Sequence, residues 1–125
     1  MLKKTITYKD FDGNERTEDF YFNLTEAELT EMQYSAEGGL QEKLQRIVKA
    51  QDKGALIRVF KEIILAAYGE KSDDGKHFRK SKEISDSFTA TPAYSMLFME
   101  LATNEEAASN FVNGIVPASA RENKG

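Results

Sequence analysis

A chain of 125 residues with 40% hydrophobic and 30% charged side chains fits one soluble domain with a modest core of its own. Its 17 basic and 21 acidic side chains give a formal charge of -4, which repels a phosphate backbone on average, and the absence of cysteine excludes a disulfide framework, a thiolate nucleophile and a zinc site built on sulfur. MLKKTITYKD lacks the apolar run of a signal peptide, and the longest uncharged apolar stretch, IILAAYG at 63–69, is too short to span a bilayer.

Residues 3–8, KKTITY, and 17–22, TEDFYF, alternate as strands, with Ile6 and Tyr8 on one face and Phe20 and Phe22 on another. Asp12-Gly13 between them supplies the left-handed backbone of a tight turn, so a hairpin over 3–22 is predicted. Two strands alone are marginal in water, so this hairpin requires helices to cover its aromatic face.

Thr25 and Glu28 form a capping box that opens the first helix, which carries Leu29 and Met32 and stops at Gly38-Gly39. LQEKLQRIVKAQ then places Leu40, Leu44, Ile47 and Val48 on one amphipathic stripe. Asp52 caps a third helix, GALIRVFKEIILAAY, whose stripe of Leu56, Val59, Phe60, Ile63 and Ala67 is widened by Ile57 and Ile64 and ended by Gly69. A charged loop follows, with a short pairing around HFRK. Ser81 begins a short helix with Ile84 and Phe88 one turn apart, and Thr91 with Pro92 starts the next. Thr103 and Glu106 form a second capping box, for a last helix with Ala107, Ala108, Phe111, Val112 and Ile115 on its apolar face. The expected fold is α+β, mostly α: an N-terminal β-hairpin followed by five or six helices in a single domain over 1–117, with 118–125 as a flexible tail.

Little in the chain points to chemistry. His77 is the only histidine, stands among charged residues and reads as an exposed loop side chain, so no multi-histidine metal site exists. Ser72-Asp73-Asp74-Gly75 reads as a turn, because the alternating ligands and twelfth-position glutamate of a calcium loop are missing. There is no phosphate-cradling glycine series and no hydrolase or zinc-helix motif, so no catalytic residue, cofactor or metal is expected. The basic run Lys76, Arg79, Lys80 and Lys82 reads as a solvated face, with a docking patch for an acidic partner as the sharper alternative. In PAYSMLFMELA, Tyr94, Leu97, Phe98 and Leu101 make the core stripe, which leaves Met96 and Met99 towards the sides. They either fill the core or form an adaptable binding surface.

The segment EKSDDGKHFRKSKEISDSFTATPAYSMLFMELATNEEAASNFVNGIVP resembles the C-terminal part of the tail assembly chaperones of long-tailed bacteriophages and prophages. FYFNLTEAELTEM resembles their strand-to-helix opening, and LQRIVKAQDKGALIRVFKEIILAAYG extends the likeness over nearly the whole chain. The departures are His77, where another basic or polar residue is expected, and Thr91-Pro92, where the family often has threonine and an acid. The resemblance implies a non-catalytic protein of the infected host's cytoplasm, absent from the virion. Such a protein binds the tape measure protein, keeps it soluble and helps recruit tail tube protein, with a frameshift-extended form of itself and self-association as further partnerships. Partner contacts are expected at Met96, Met99, Phe111 and Ile115, and at Lys76, Arg79 and Lys80 if the basic run docks. The competing reading is a small phage regulatory protein that binds nucleic acid or a host protein through the 76–82 patch.

Overall fold

The alternating N-terminal residues form two strands, β1 (Leu2–Lys9) and β2 (Glu15–Phe22), in the computed structural model, which describes residues 1–35 and 49–117. The turn between them is closed by Asp10: its carbonyl accepts from Gly13 N–H at 3.0 Å, and its carboxylate accepts from the amides of Asp12 and Asn14. Gly13 has a φ of 86°, the left-handed geometry expected of it. The register places Leu2 opposite Phe22 and Lys4 opposite Phe20. Strand residues of one parity share a face, so Ile6, Tyr8, Phe20 and Phe22 all lie on the same covered side, and the expected division between two faces is corrected. The opposite face is a polar ladder in which Thr5 pairs with Asp19 and Thr7 with Thr17.

Thr25 and Glu28 form their capping box at the start of α1 (Glu26–Ser35), with reciprocal bonds of 3.1 and 2.9 Å. The predicted glycine stop at 38–39, the stripe of Leu40, Leu44, Ile47 and Val48, and the tail at 118–125 lie outside the described residues. Asp52 caps α2 (Lys53–Ala67) by accepting from Ala55 N–H, and Val59, Ile63, Ile64 and Ala67 are buried. Ile57 is 44% exposed and does not widen the stripe.

Gly69 does not end this helix. The chain passes directly into a strand, β3 (Tyr68–Lys71), which pairs antiparallel with both β2 and β4 (Phe78–Arg79). Helix ends leave carbonyls unsatisfied, and here the final four of α2 all find donors without a glycine cap. Ile64 receives Tyr68 N–H, Leu65 the Ser85 hydroxyl, Ala66 the Lys80 ammonium and Ala67 the Asn23 amide. Gly69 serves the sheet instead: a Cβ there would stand 2.8 Å from the Arg79 carbonyl oxygen and from the Phe78 ring. Among the described residues the sheet therefore has four strands, in the order β1-β2-β3-β4.

Three helices complete the described fold: α3 (Lys82–Thr89), α4 (Pro92–Thr103) and α5 (Glu105–Ile115), so five helices stand among the described residues. Ser81 and Thr91 cap α3 and α4 as their sequence positions predict. Asn104, however, caps α5 by accepting from Ala107 N–H at 3.0 Å. Thr103 is the last residue of α4 and turns its hydroxyl back to the Met99 carbonyl at 2.6 Å, so the expected Thr103–Glu106 capping box is corrected. Asparagine is as strong a cap as threonine and stands one position nearer the helix.

The core forms where the helices cover the hairpin. Phe22 is fully buried, with its ring centroid 5.5 Å from Tyr68, 5.8 Å from Phe88 and 5.2 Å from Phe111. Tyr68 in turn stacks on Phe88 at 4.1 Å. Phe22→Ala should lower stability by about 3–5 kcal/mol through lost burial and the cavity left behind. Phe11→Ala, in the turn and 83% exposed, should change it by less than about 0.5 kcal/mol. Denaturant midpoints of the two variants test this, and an unchanged midpoint for Phe22→Ala would contradict the packed cluster.

Candidate functional site

The hairpin edge and the methionine helix meet in a groove. Residues 4–7 of β1 form one wall, Met96, Met99 and Glu100 of α4 form the other, and the buried Ile6 and Leu97 close it beneath. Its volume is about 390 Å³. Helical spacing places the two methionines here: Leu97 and Leu101 turn into the core, so Met96 and Met99 flank that stripe, 49% and 53% exposed. Of the two readings open to them, the structure selects exposure. The Lys4 ammonium meets the Glu100 carboxylate at 3.2 Å and ties the walls together.

Methionine suits such a wall because its unbranched thioether reshapes around irregular apolar surface. Lys4, Glu100, Thr5 and Thr7 give the groove a polar rim. This arrangement can hold an apolar or extended chain. Among the described residues, no group of three or more histidine, aspartate or glutamate side chains is placed to hold a metal ion.

The other sequence candidates separate from this groove. Phe111 and Ile115 are 3% and 1% exposed and belong to the core, so they offer a partner no surface in this fold. Lys76 and Arg79 are exposed near β4, at the opposite edge of the sheet from β1. His77 is exposed, and Ser72–Gly75 is a turn in which the Asp74 carboxylate accepts from the Ser72 hydroxyl and the Lys76 amide. Those bonds, the hydroxyl's above all, hold Asp74 below the usual carboxylate range.

Lys80 belongs to neither reading of the basic run. Its ammonium donates to the Asn23 carbonyl at 2.6 Å, the Glu28 carboxylate at 2.7 Å and the Ala66 carbonyl at 2.8 Å. An ammonium has three protons to give, and these acceptors come from the residue after β2, from α1 and from the negative end of the α2 dipole. Lys80 is thus an internal tie. Burial by itself pushes the Glu28 carboxyl up, but the Lys80 ammonium and the Thr25 amide together outweigh it and hold the group below its ordinary 4.5. Sequence reasoning missed this role because the three acceptors lie 57, 52 and 14 positions away. A second hollow, of about 410 Å³, adjoins the tie, between Met32 of α1 and Ala66 of α2.

A family model described as phage tail assembly chaperone matches residues 1–124. No curated protein and no solved structure matches the chain.

Lys80→Met should cost about 2–3 kcal/mol, because it leaves a carboxylate and two carbonyls without their donor. Lys76→Gln or Arg79→Gln should each cost less than about 0.5 kcal/mol. Denaturant unfolding distinguishes them, and equal small effects would contradict the tie. A carboxyl whose folded-state pKa is depressed stabilises the fold above its unfolded value and loses that contribution as the pH falls through the folded one. The stability gap between the parent and Glu28→Gln should therefore be present at neutral pH and close as the pH drops below 4.5. A gap constant with pH would contradict the ion pair.

Proposed function

The chain belongs to the phage tail assembly chaperone family, and we propose that it acts as a non-catalytic holder of the tape measure protein in the host cytoplasm. It keeps that protein soluble and brings tail tube subunits to it, without becoming part of the virion. The observation that carries this reading is the pair Met96 and Met99, two large apolar side chains half exposed beside a groove. A folded domain gains nothing by leaving such side chains in water, and an apolar partner supplies the reason for tolerating them.

The physical need is plain. A tape measure protein is a long, helix-rich chain whose apolar faces stay uncovered until the tube assembles around it, and uncovered faces aggregate. Shallow grooves on many chaperone copies cover a long chain through repeated weak contacts, which together hold it without any tight single one. Self-association and a frameshift-extended form fit the same scheme.

Co-expression with the tape measure protein of the same phage tests the reading. The parent chain should raise its soluble fraction. Met96→Asp with Met99→Asp should remove most of that effect, since two carboxylates would be desolvated in the contact. Because both methionines are exposed in the free chain, the double variant should keep its circular dichroism and lose no more than about 1 kcal/mol of stability. A folded double variant that solubilises as well as the parent would move the contact elsewhere, and a parent chain that solubilises no segment would refute the holder reading.

A further inference from the structure

The wall opposite the methionines is a strand edge, and its hydrogen bonding can be read from two contacts. Asp10 N–H donates to the Asn14 carbonyl at 2.9 Å, and Asn23 N–H donates to the Ala67 carbonyl at 2.8 Å. Antiparallel ladders alternate bonded and non-bonded pairs. With the β1–β2 register running from Leu2 opposite Phe22 to Lys9 opposite Glu15, the even-numbered residues of β1 bond to β2. Lys3, Thr5, Thr7 and Lys9 therefore turn their backbone N–H and C=O groups outward. Among the described residues the sheet order ends at β1, and all four residues are exposed.

Open edges are normally guarded by proline, by bulges, by short length, by charge or by a covering element. β1 has eight residues in continuous register, with neither bulge nor proline. Its guard is charge. Among the described residues, neither Lys3 nor Lys9 has a carboxylate within salt-bridge distance, while Lys4 is engaged by Glu100. A charged guard discriminates instead of closing the edge. A second copy laid antiparallel over the whole of β1, centred on Ile6, would set Lys3 against Lys9 twice. An acidic strand would meet the same two lysines with attraction. Charge alone leaves Met96 and Met99 unexplained; a strand added to this edge explains them, because its alternate side chains would point across the groove onto that apolar wall.

We infer that the free edge of β1 accepts an extended acidic segment of a partner protein as a fifth strand, with apolar residues at every second position seated against Met96 and Met99. This rests on the reading of the groove as the partner-binding face. Backbone hydrogen bonds provide attachment, Lys3 and Lys9 select sign, and the methionines accept varied apolar side chains.

A fluorescent nonapeptide of alternating glutamate and valine, with a lysine–valine counterpart, tests the inference by fluorescence anisotropy on the full chain at low salt. The glutamate peptide should bind at least about tenfold more tightly than its counterpart. Thr5→Pro removes an outward N–H while sparing the bonds to β2, and should weaken binding about tenfold or more with unchanged circular dichroism. Lys3→Glu with Lys9→Glu should reverse the preference between the peptides, and this variant decides alone if Thr5→Pro does not fold. No binding to the parent, a preference untouched by charge reversal, or a folded Thr5→Pro variant that binds as the parent does would each overturn the inference. So would sedimentation showing copies of the chain joined through β1, in an association that Thr5→Pro abolishes. Tape measure solubilisation that survives in Thr5→Pro but fails in Met96→Asp with Met99→Asp would overturn strand addition and keep the holder reading. Peptide binding that behaves as expected while the parent chain solubilises no segment of the tape measure protein would support strand addition and refute the holder reading.

Discussion

A two-stranded hairpin with four large apolar side chains on one face has to be covered, and the structure is arranged to cover it. Phe22 is the point of contact: a fully buried ring reached by Tyr68 from β3, Phe88 from α3 and Phe111 from α5. Each of those aromatics arrives on a different element, so the ring joins parts of the chain that have no local reason to meet. Interiors of this kind are close-packed, and a shift in one member is felt by the others. Phe111 and Ile115 are committed to this interior, which leaves the exposed methionines as the large apolar side chains of the groove.

The same economy governs polar groups. The last turn of α2 would ordinarily need a glycine cap or water for its carbonyls, yet the amide of the next residue, Tyr68, and, from elsewhere, a serine hydroxyl, the Asn23 backbone amide and a lysine ammonium satisfy all four. Lys80 uses its charge inward and is lost to any docking patch. Among the described residues, the β1 edge with its polar rim and the methionine wall beside it stay open outward. Both are offered by elements packed on the core, so a partner seated there would not need to reorganise it.

Local signals were legible wherever one residue type does one job at a fixed spacing. The Thr25–Glu28 capping box, the Asp52, Ser81 and Thr91 caps, the Asp12-Gly13 turn and the 3.6-residue stripes of α2, α4 and α5 all follow from neighbours within a turn. The exposure of Met96 and Met99 follows from the stripe as well, once Leu97 and Leu101 are assigned inward. What the sequence concealed is long-range. Gly69 looked like a helix stop because its other use, close approach of β4, depends on residues ten positions away, and Lys80 looked like part of a surface run because its acceptors lie on three distant elements. Asn104 in place of Thr103 is the local exception, where two good caps stood side by side in the sequence. The β1 edge was hidden for the same long-range reason: alternation identifies a strand, whereas its place in the sheet is fixed by pairing.

The proposed partner contact is confined to the groove between β1 and α4. Amide hydrogen exchange of the chain, alone and with a soluble segment of its tape measure protein, tests it most directly. In the free chain the amides of Lys3, Thr5, Thr7 and Lys9 should exchange fast while those of the even-numbered β1 residues are protected, since only the latter bond to β2. In the complex the odd-numbered β1 amides should become protected together with α4 around Met96 and Met99, leaving residues 76–79 unchanged. Protection that appears at 76–79, or on the helices away from α4, with the β1 amides still exchanging fast, would contradict the account.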